Sequence, residues 1–436
     1  MMAYVPLLMF CLLFVFVFLG IPVSFSLIAT SFLFGMLFFG DTIFQQMYGS
    51  LLQASTNFTL SAIPLFVLMG AILEQTGLAR RLYNALQLWL GGFSGGLAIS
   101  TMLMCGIFAA ASGIVGAVEI VVGLMAIPAM TKYRYDRSLI SGTICAGGSL
   151  GTIIPPSVIV VVYASMAQLS IGQLFAATLI PGLLMMALFL LYIGVACWLR
   201  PALAPAVAEM RQVALTEKLR ITLKALVPPF LLIAAVLGSM LMGIASPTES
   251  AAVGAFGAAL LALCFGELSL ARLGEALVST VRITAMIMLI VVGGTLFTAI
   301  FAISGGGWAL AEFIQELALS PYWLIFALLL IVLLAGMVLD WISIVLIFVP
   351  IFTPLIKLAG IDPVWFAVMF MVVIQTSYLT PPMAPSIFYL KSIAPPDFGY
   401  GHMYRGVIPF ILIQLLLFLI ILLLPGLATW LPRQLF

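Results

Sequence analysis

Two of the chain's four proline pairs are Pro155-Pro156 in GGSLGTIIPPS and Pro381-Pro382 in QTSYLTPPMAPS, each within an otherwise apolar stretch. Proline has no N–H to give the carbonyl one turn back, and its ring clashes with that turn, so each pair should break a helix. A break at membrane depth must be buried in protein or line a polar cavity. The carbonyls it frees, and the C-terminal ends of half-helices, are hard oxygen ligands suited to a small alkali cation. Half-helix N-termini attract an anionic group instead. The pairs are related by one shift, 381 − 155 = 226, and Pro128 with Pro354 and Asp136 with Asp362 repeat it. In a chain this rich in Leu, Val and Ile only the rarer residues carry alignment information. Four coincidences at one offset therefore mark an internal repeat.

Each pair is preceded by a segment with a Gly-bearing midpoint, AAASGIVG at 109–116 within 82–131 and LLAGMVLD at 333–340 within 308–357. Both segments read as helical hairpins that enter and leave by one side. The broken helices then cover 138–168 and 363–393. In the first repeat the candidate cation ligands are Ser112 with Gly151, Ile154 and Pro156. In the second they are Gly336 with Ser377, Thr380 and Met383. Most would act through backbone oxygens, and Thr380 adds a hydroxyl. Ser112, Gly113, Pro155, Asp340 and Pro381 are candidate substrate contacts. Asp340 reads either as a tuner of the cation site or as the cap of a half-helix. Glu249, in GIASPTESAAVGA, reads as acidic first-turn charge at a helix start. Glu119 reads as a polar contact to a neighbouring helix.

The elements that must position these residues are apolar helices. The 436 residues are 65% hydrophobic and 7% charged, with a mean hydropathy of +1.32, against roughly 25% charged residues in a soluble protein. Runs near 4–21, 22–40, 58–78, 172–199, 225–243, 250–265, 283–303 and 405–431 approach the roughly 20 residues needed to span. With the two broken helices this makes about ten spans of an all-α integral membrane protein. The glycine faces Gly92-Gly96 and Gly254-Gly257 suit close helix contact. A net charge of +2 with no basic stripe excludes nucleic acid as a partner. Five scattered cysteines and one histidine, His402, leave no transition-metal spacing. The N-terminal stretch reads as the first spanning helix.

Charge orients this arrangement. The basic stretch 200–224, with Arg200, Arg211, Lys218, Arg220 and Lys224, belongs on the cytoplasmic side. Counting outward from it, the first hairpin and its basic flanks end inside and the base-poor second hairpin ends outside. Both chain ends come out periplasmic. Equivalent elements with opposite charge bias are what an inverted-topology repeat predicts.

On these residues the chain resembles the large membrane subunit of tripartite ATP-independent periplasmic (TRAP) transporters. The resemblance rests on Ala111-Ser112-Gly113, GSLGTIIPPS at Gly148–Ser157, the run Leu169–Gly182, SPTESAAVGA, GMVLD and LTPP, and extends from about residue 5 to 430. It implies sodium-driven uptake of a small organic acid across the bacterial inner membrane by an elevator motion. It also implies two separate partners in the lipid-embedded assembly, a small four-helix membrane subunit and a periplasmic substrate-binding protein. The family's two sodium sites would fall on the two ligand sets above. Its division would make 79–168 and 306–395 the transport repeats. The scaffold would be 1–78, 169–305 and the terminal helix 396–436. The chain departs from the family pattern at Ser377 (glycine in many relatives), Ser246 (usually threonine) and Glu119 (a neutral residue). A divalent-anion/sodium symporter working without a binding protein is the nearest alternative, but its Ser-Asn-Thr tips are missing here. A membrane enzyme would need a convergent acid–base or nucleophile set, which the scattered polar residues do not provide.

Overall fold

Asp136 and Asp362 start equivalent helices in the same way. Asp136 Oδ1 accepts the N–H groups of Ser138 (2.9 Å) and Leu139 (3.1 Å). Asp362 Oδ1 accepts those of Val364 (2.8 Å) and Trp365 (3.2 Å). A short acceptor at the N-cap satisfies donors that no helical carbonyl can reach. The computed structural model describes residues 5–113, 116–207, 214–309, 312 and 320–436. Arg211, Ile114 and Val115 of the first tip, and most of 310–319 ahead of the second hairpin lie outside the described residues, as does the side chain of Ser112.

The described residues are helical with connecting turns. In chain order, α1 is Val5–Phe18, α2 Val23–Phe39, α3 Thr42–Thr56, α4 Ala62–Gln75 and α5 Leu78–Leu90. The first hairpin is α6 (Gly96–Ser112) and α7 (Ala117–Lys132), followed by α8 (Arg137–Ser149) and α9 (Val158–Ala167). Next come α10 (Ile171–Leu199), α11 (Leu215–Leu241), α12 (Pro247–Cys264) and α13 (Leu270–Ile303). The second hairpin is α14 (Pro321–Gly336) and α15 (Trp341–Leu358), followed by α16 (Pro363–Leu379) and α17 (Pro385–Ile393). The chain closes with α18 (Tyr400–Leu423) and α19 (Gly426–Leu435). Among the described residues seven helices are long and apolar enough to cross a bilayer, and shorter apolar helices flank them.

Both breaks form where the proline pairs predict. α8 and α16 have 13 and 17 residues, lengths of about 20 and 26 Å at 1.5 Å per residue, short of a hydrocarbon core of about 30 Å. The Pro155-Pro156 and Pro381-Pro382 peptides are both cis. The first hairpin proper begins at Gly96, later than the apolar pattern implies. Residues 78–90 form a separate amphipathic helix whose Leu78, Leu82 and Tyr83 are buried while Arg80 and Arg81 are exposed.

The two repeats interlock. α7 packs on α17 and α9 on α15, while α8 packs on α18 and α10 on α16. Each is a cross-repeat pair whose mirror is also present, as a pseudo-two-fold requires. α4 against α12 and α2 against α13 extend the exchange outward. α8 and α16 lie innermost, with Leu139–Ser149 and Trp365–Leu379 buried throughout. By contrast α11 buries little and exposes Leu215, Leu219, Phe230 and Leu231. At the Gly254-Gly257 face a Cβ would sit against Met69 of α4 and Leu232 of α11. Gly96 closes instead on the Leu90 carbonyl in the turn before the hairpin. Ser246 and Glu249 complete a capping box, Ser246 N–H to Glu249 Oε2 at 2.7 Å and Glu249 N–H to Ser246 Oγ at 3.3 Å. Glu249 is thus a helix-start residue.

Candidate cation and substrate site

In each repeat the hairpin tip meets its own break. Pro155 cannot donate to the Gly151 carbonyl, nor Pro381 to that of Ser377, and 377 − 151 is again 226. The same backbone position thereby loses its α-helical donor twice. In the first repeat the tip turns through Gly113 and Gly116, with φ of +62° and +89°, a region that residues with a Cβ avoid. The Val158 N–H approaches the Gly113 carbonyl at 3.4 Å. A Cβ at Gly113 would stand 2.9 Å from the Pro156 carbonyl oxygen. The backbones of tip and break are therefore in contact. Thr152 Oγ1 and Ser157 Oγ tie the turn locally, donating to the Ser149 and Thr152 carbonyls at 2.9 and 3.1 Å. The Ile154 side chain packs toward Gly182 of α10, so only its backbone can serve a ligand.

The second repeat is built alike but lies open. Gly336 ends α14 directly against the Ser377 side chain, where a Cβ would collide with Ser377 Oγ and Cβ. Thr380 N–H takes up the Ser377 carbonyl at 3.1 Å. Thr380 Oγ1 donates to the Thr376 carbonyl at 2.7 Å, which leaves the hydroxyl lone pairs available to a cation. Pro381, Pro382 and Met383 are exposed, Met383 at 47%, whereas the first break is buried from Leu150 through Val158. Asp340 belongs to the N-terminus of α15. Its Oδ2 accepts from the Ile342 and Ser343 N–H groups at 3.1 and 3.3 Å, and its Oδ1 from Ser343 Oγ. Capping is thus the role the geometry gives it.

The donor set tests whether an alkali cation fits. Among the described residues no three His, Cys, Asp or Glu gather to hold a metal. The oxygens of the two predicted ligand sets are carbonyls and hydroxyls, hard and neutral, of the kind that replace the water around a small monovalent ion.

Residues 10–427 match the family described as "Tripartite ATP-independent periplasmic transporter, DctM component". The chain belongs to this family. Among relatives, it is 33% identical over 401 residues to the C4-dicarboxylate TRAP transporter large permease protein DctM of Pseudomonas aeruginosa, covering 92% of each chain. It is 31% identical over 422 residues to the ectoine/5-hydroxyectoine TRAP transporter large permease protein UehC of Ruegeria pomeroyi, covering 95% of each. The YdaH transporter of Alcanivorax borkumensis shares the fold, with a TM-score of 0.63 at 16% identity, over 92% of this chain and 89% of that one. Membership in the TRAP large-permease family makes the chain a membrane transport component, and the membrane part is what the composition predicts.

One buried acidic residue beside the second break lies outside the predicted ligand sets. Glu119, in the first turn of α7, is fully buried and accepts from the Ser386 hydroxyl at 2.7 Å and the Tyr378 hydroxyl at 3.1 Å. It makes the interhelical polar contact expected of it, but at the second break. An acidic residue at membrane depth is costly and usually functional, and that rarity was the available signal. Its partners lie 259 and 267 residues away, out of reach of any local pattern.

Proposed function

We propose that this TRAP large permease carries out sodium-coupled uptake of a small organic acid across the inner membrane. The observation that carries the reading is the duplicated contact of a glycine tip with a proline break. In each repeat it gathers carbonyl oxygens that lack their α-helical donor at equivalent positions, Gly151 and Ser377, the latter sharing its oxygen with the Thr380 N–H. Without a cation the carbonyl dipoles at tip and break repel one another, against the 3.4 Å Val158–Gly113 contact and the Gly336–Ser377 packing that join them. A sodium ion at each break would replace that repulsion with coordination and order both tips. Half-helix N-termini beside the two ions would then favour a carboxylate or similar anion. Ser112, Gly151, Ile154 and Pro156 would hold one sodium ion. Gly336, Ser377, Thr380 and Met383 would hold the other. Ser112, Gly113, Pro155 and Pro381 would line the acid between them, with Asp340 acting through the helix it caps.

The mechanism we infer is an elevator. The two hairpins and broken helices travel together against the remaining helices. An enclosed first break beside an open second one is the asymmetry that access from one side at a time requires. Both termini would be periplasmic. The partners would be a four-helix membrane subunit and a periplasmic binding protein that delivers the acid. Cargoes named for relatives, a C4-dicarboxylate and ectoine, agree in being small carboxylates and leave this chain's own acid to be found. Uptake by the reconstituted complex, with a binding protein from the neighbouring genes, should rise steeply with an inward sodium gradient. Uptake indifferent to that gradient refutes the proposal.

A further inference from the structure

Glu119 belongs to the first repeat, yet its hydrogen bonds lie wholly in the second. Tyr378 is the next-to-last residue of α16 and Ser386 the second of α17, so its two donors stand on opposite sides of the Pro381-Pro382 break. Space for the carboxylate comes from α8, where a Cβ at Gly148 would collide with the Glu119 side chain. No basic side chain among the described residues pairs with it. A buried carboxylate in such a place is costly unless hydrogen-bonded.

The repeat supplies the comparison. Shifted by 226, Glu119, Tyr378 and Ser386 fall on Val345, Thr152 and Val160, which cannot form such a triad. The first break does without it because protein packs around it, with Ile153, Ile154 and Val158 at 0%, 5% and 2% exposure. The second break is open at Pro381–Met383 and lacks that support. We infer that Glu119 is a positioning residue, a clamp from the first repeat that fixes the separation of the two flanks of the second break and so sets the cation cage there. The cage half of this inference rests on the sodium reading above, whereas the clamp itself does not.

Hydrogen–deuterium exchange on the purified full chain, paired with binding of radioactive sodium ion alone, tests both halves. In Glu119→Ala, amides over 377–387 should exchange about tenfold faster or more, the loss of the two hydrogen bonds that Tyr378 and Ser386 donate. Amides over 150–157 should be unchanged, and sodium affinity should fall by a similar factor. Glu119→Gln, which keeps one carbonyl acceptor, should recover part of both. If Glu119→Ala does not fold, Tyr378→Phe and Ser386→Ala each remove one arm of the clamp and carry the same expectation. Unaltered exchange over 377–387 in a folded variant overturns the clamp, as does an equal rise at both breaks. Loosened exchange with unchanged sodium affinity overturns its hold on the cage. Should the unaltered chain bind no sodium, the sodium reading fails, and the exchange result alone decides the clamp.

Discussion

Gln375 donates its side-chain N–H to the Ser149 hydroxyl at 3.0 Å, and the two residues are 226 positions apart. Residues equivalent under a two-fold operation touch each other only where they lie close to its axis. The pair therefore places the pseudo-two-fold between α8 and α16, one turn ahead of both breaks. Gln414 of α18 donates to the same hydroxyl at 3.4 Å, and all three residues are fully buried. Replacing Gln375 by Leu leaves the Ser149 hydroxyl with less company. It should destabilise the chain by about 1 kcal/mol, the scale of interhelical hydrogen bonds in membranes. Thermal unfolding in detergent, against Gln414→Leu, measures it. An effect for Gln375 no larger than for the longer Gln414 contact counts against an axial role.

Thr380→Ala removes the one side-chain hydroxyl assigned to the second cation. It also removes a hydrogen bond to the Thr376 carbonyl (2.7 Å), worth about 1 kcal/mol. Stability should fall by no more than that, while half-maximal activation of uptake shifts to higher sodium. Unchanged sodium activation removes Thr380 from the site.

How much of this was legible beforehand follows from what the signals were made of. Rare residues at a fixed offset revealed the repeat, because Pro and Asp have backbone consequences that any structure must honour. Both breaks lie where the prolines put them, and Asp136 and Asp362, which marked the repeat, cap equivalent helices. The start of the first hairpin was misplaced, because the apolar face of amphipathic α5 runs on into apolar α6 and only the turn Gly91–Gly95 divides them. The Glu119 clamp was invisible for a different reason. Its partners are joined by packing between repeats, and nothing in a local pattern records which helix lies against which.

Outside the membrane helices, Glu267 pins the α4–α5 turn to the α12–α13 turn. It accepts from the Gly77 N–H and from Arg81, with Arg272 alongside at 3.8 Å. The Gly77 hydrogen bond first, then the two guanidinium groups, hold its carboxyl below the ordinary carboxylate range. A lowered folded value means stability that is present above the unfolded carboxylate value and lost as pH falls through the folded one. Acidifying from neutral pH to below 4 should loosen exchange at residues 76–81 in the native chain, and Glu267→Gln should flatten that response. The thermal effect should be small, about 0.2–1 kcal/mol for a part-exposed pair. A mutant with the same pH response as the native chain defeats the assignment.

Backbone contact makes a sharper case between α8 and α18. A Cβ at Gly142 would strike the Gly406 carbonyl, and one at Gly406 would strike that of Ser138. Backbone cannot swing aside as a side chain does, so Gly142→Ala must part the two helices. We expect a loss of about 2 kcal/mol or more. Gly238→Ala in α11 is the control, since nothing lies within 4 Å of its Cβ position. It should raise stability by up to about 1 kcal/mol through helix propensity. Equal midpoints for the two variants contradict the packing described here.

The Gly336–Ser377 contact offers a cycle that separates packing from chemistry. A methyl at Gly336 would meet the Ser377 side chain and lie 3.1 Å from Ile344 Cδ1. Gly336→Ala should therefore overpack the junction of the second tip with its break, at a cost of about 1–3 kcal/mol. Ser377→Gly alone should cost about 0.5 kcal/mol of helix propensity in the last turn of α16. Combined, the glycine clears the space that the alanine needs. The double variant should then be more stable than the sum of the singles by about 1 kcal/mol or more. Sodium activation of uptake should recover along with stability, because Ser377 is assigned through its carbonyl, which glycine retains. Strict additivity means that the tip and the break are not in contact. Recovered stability without recovered sodium activation moves the ligand from the Ser377 carbonyl to its hydroxyl.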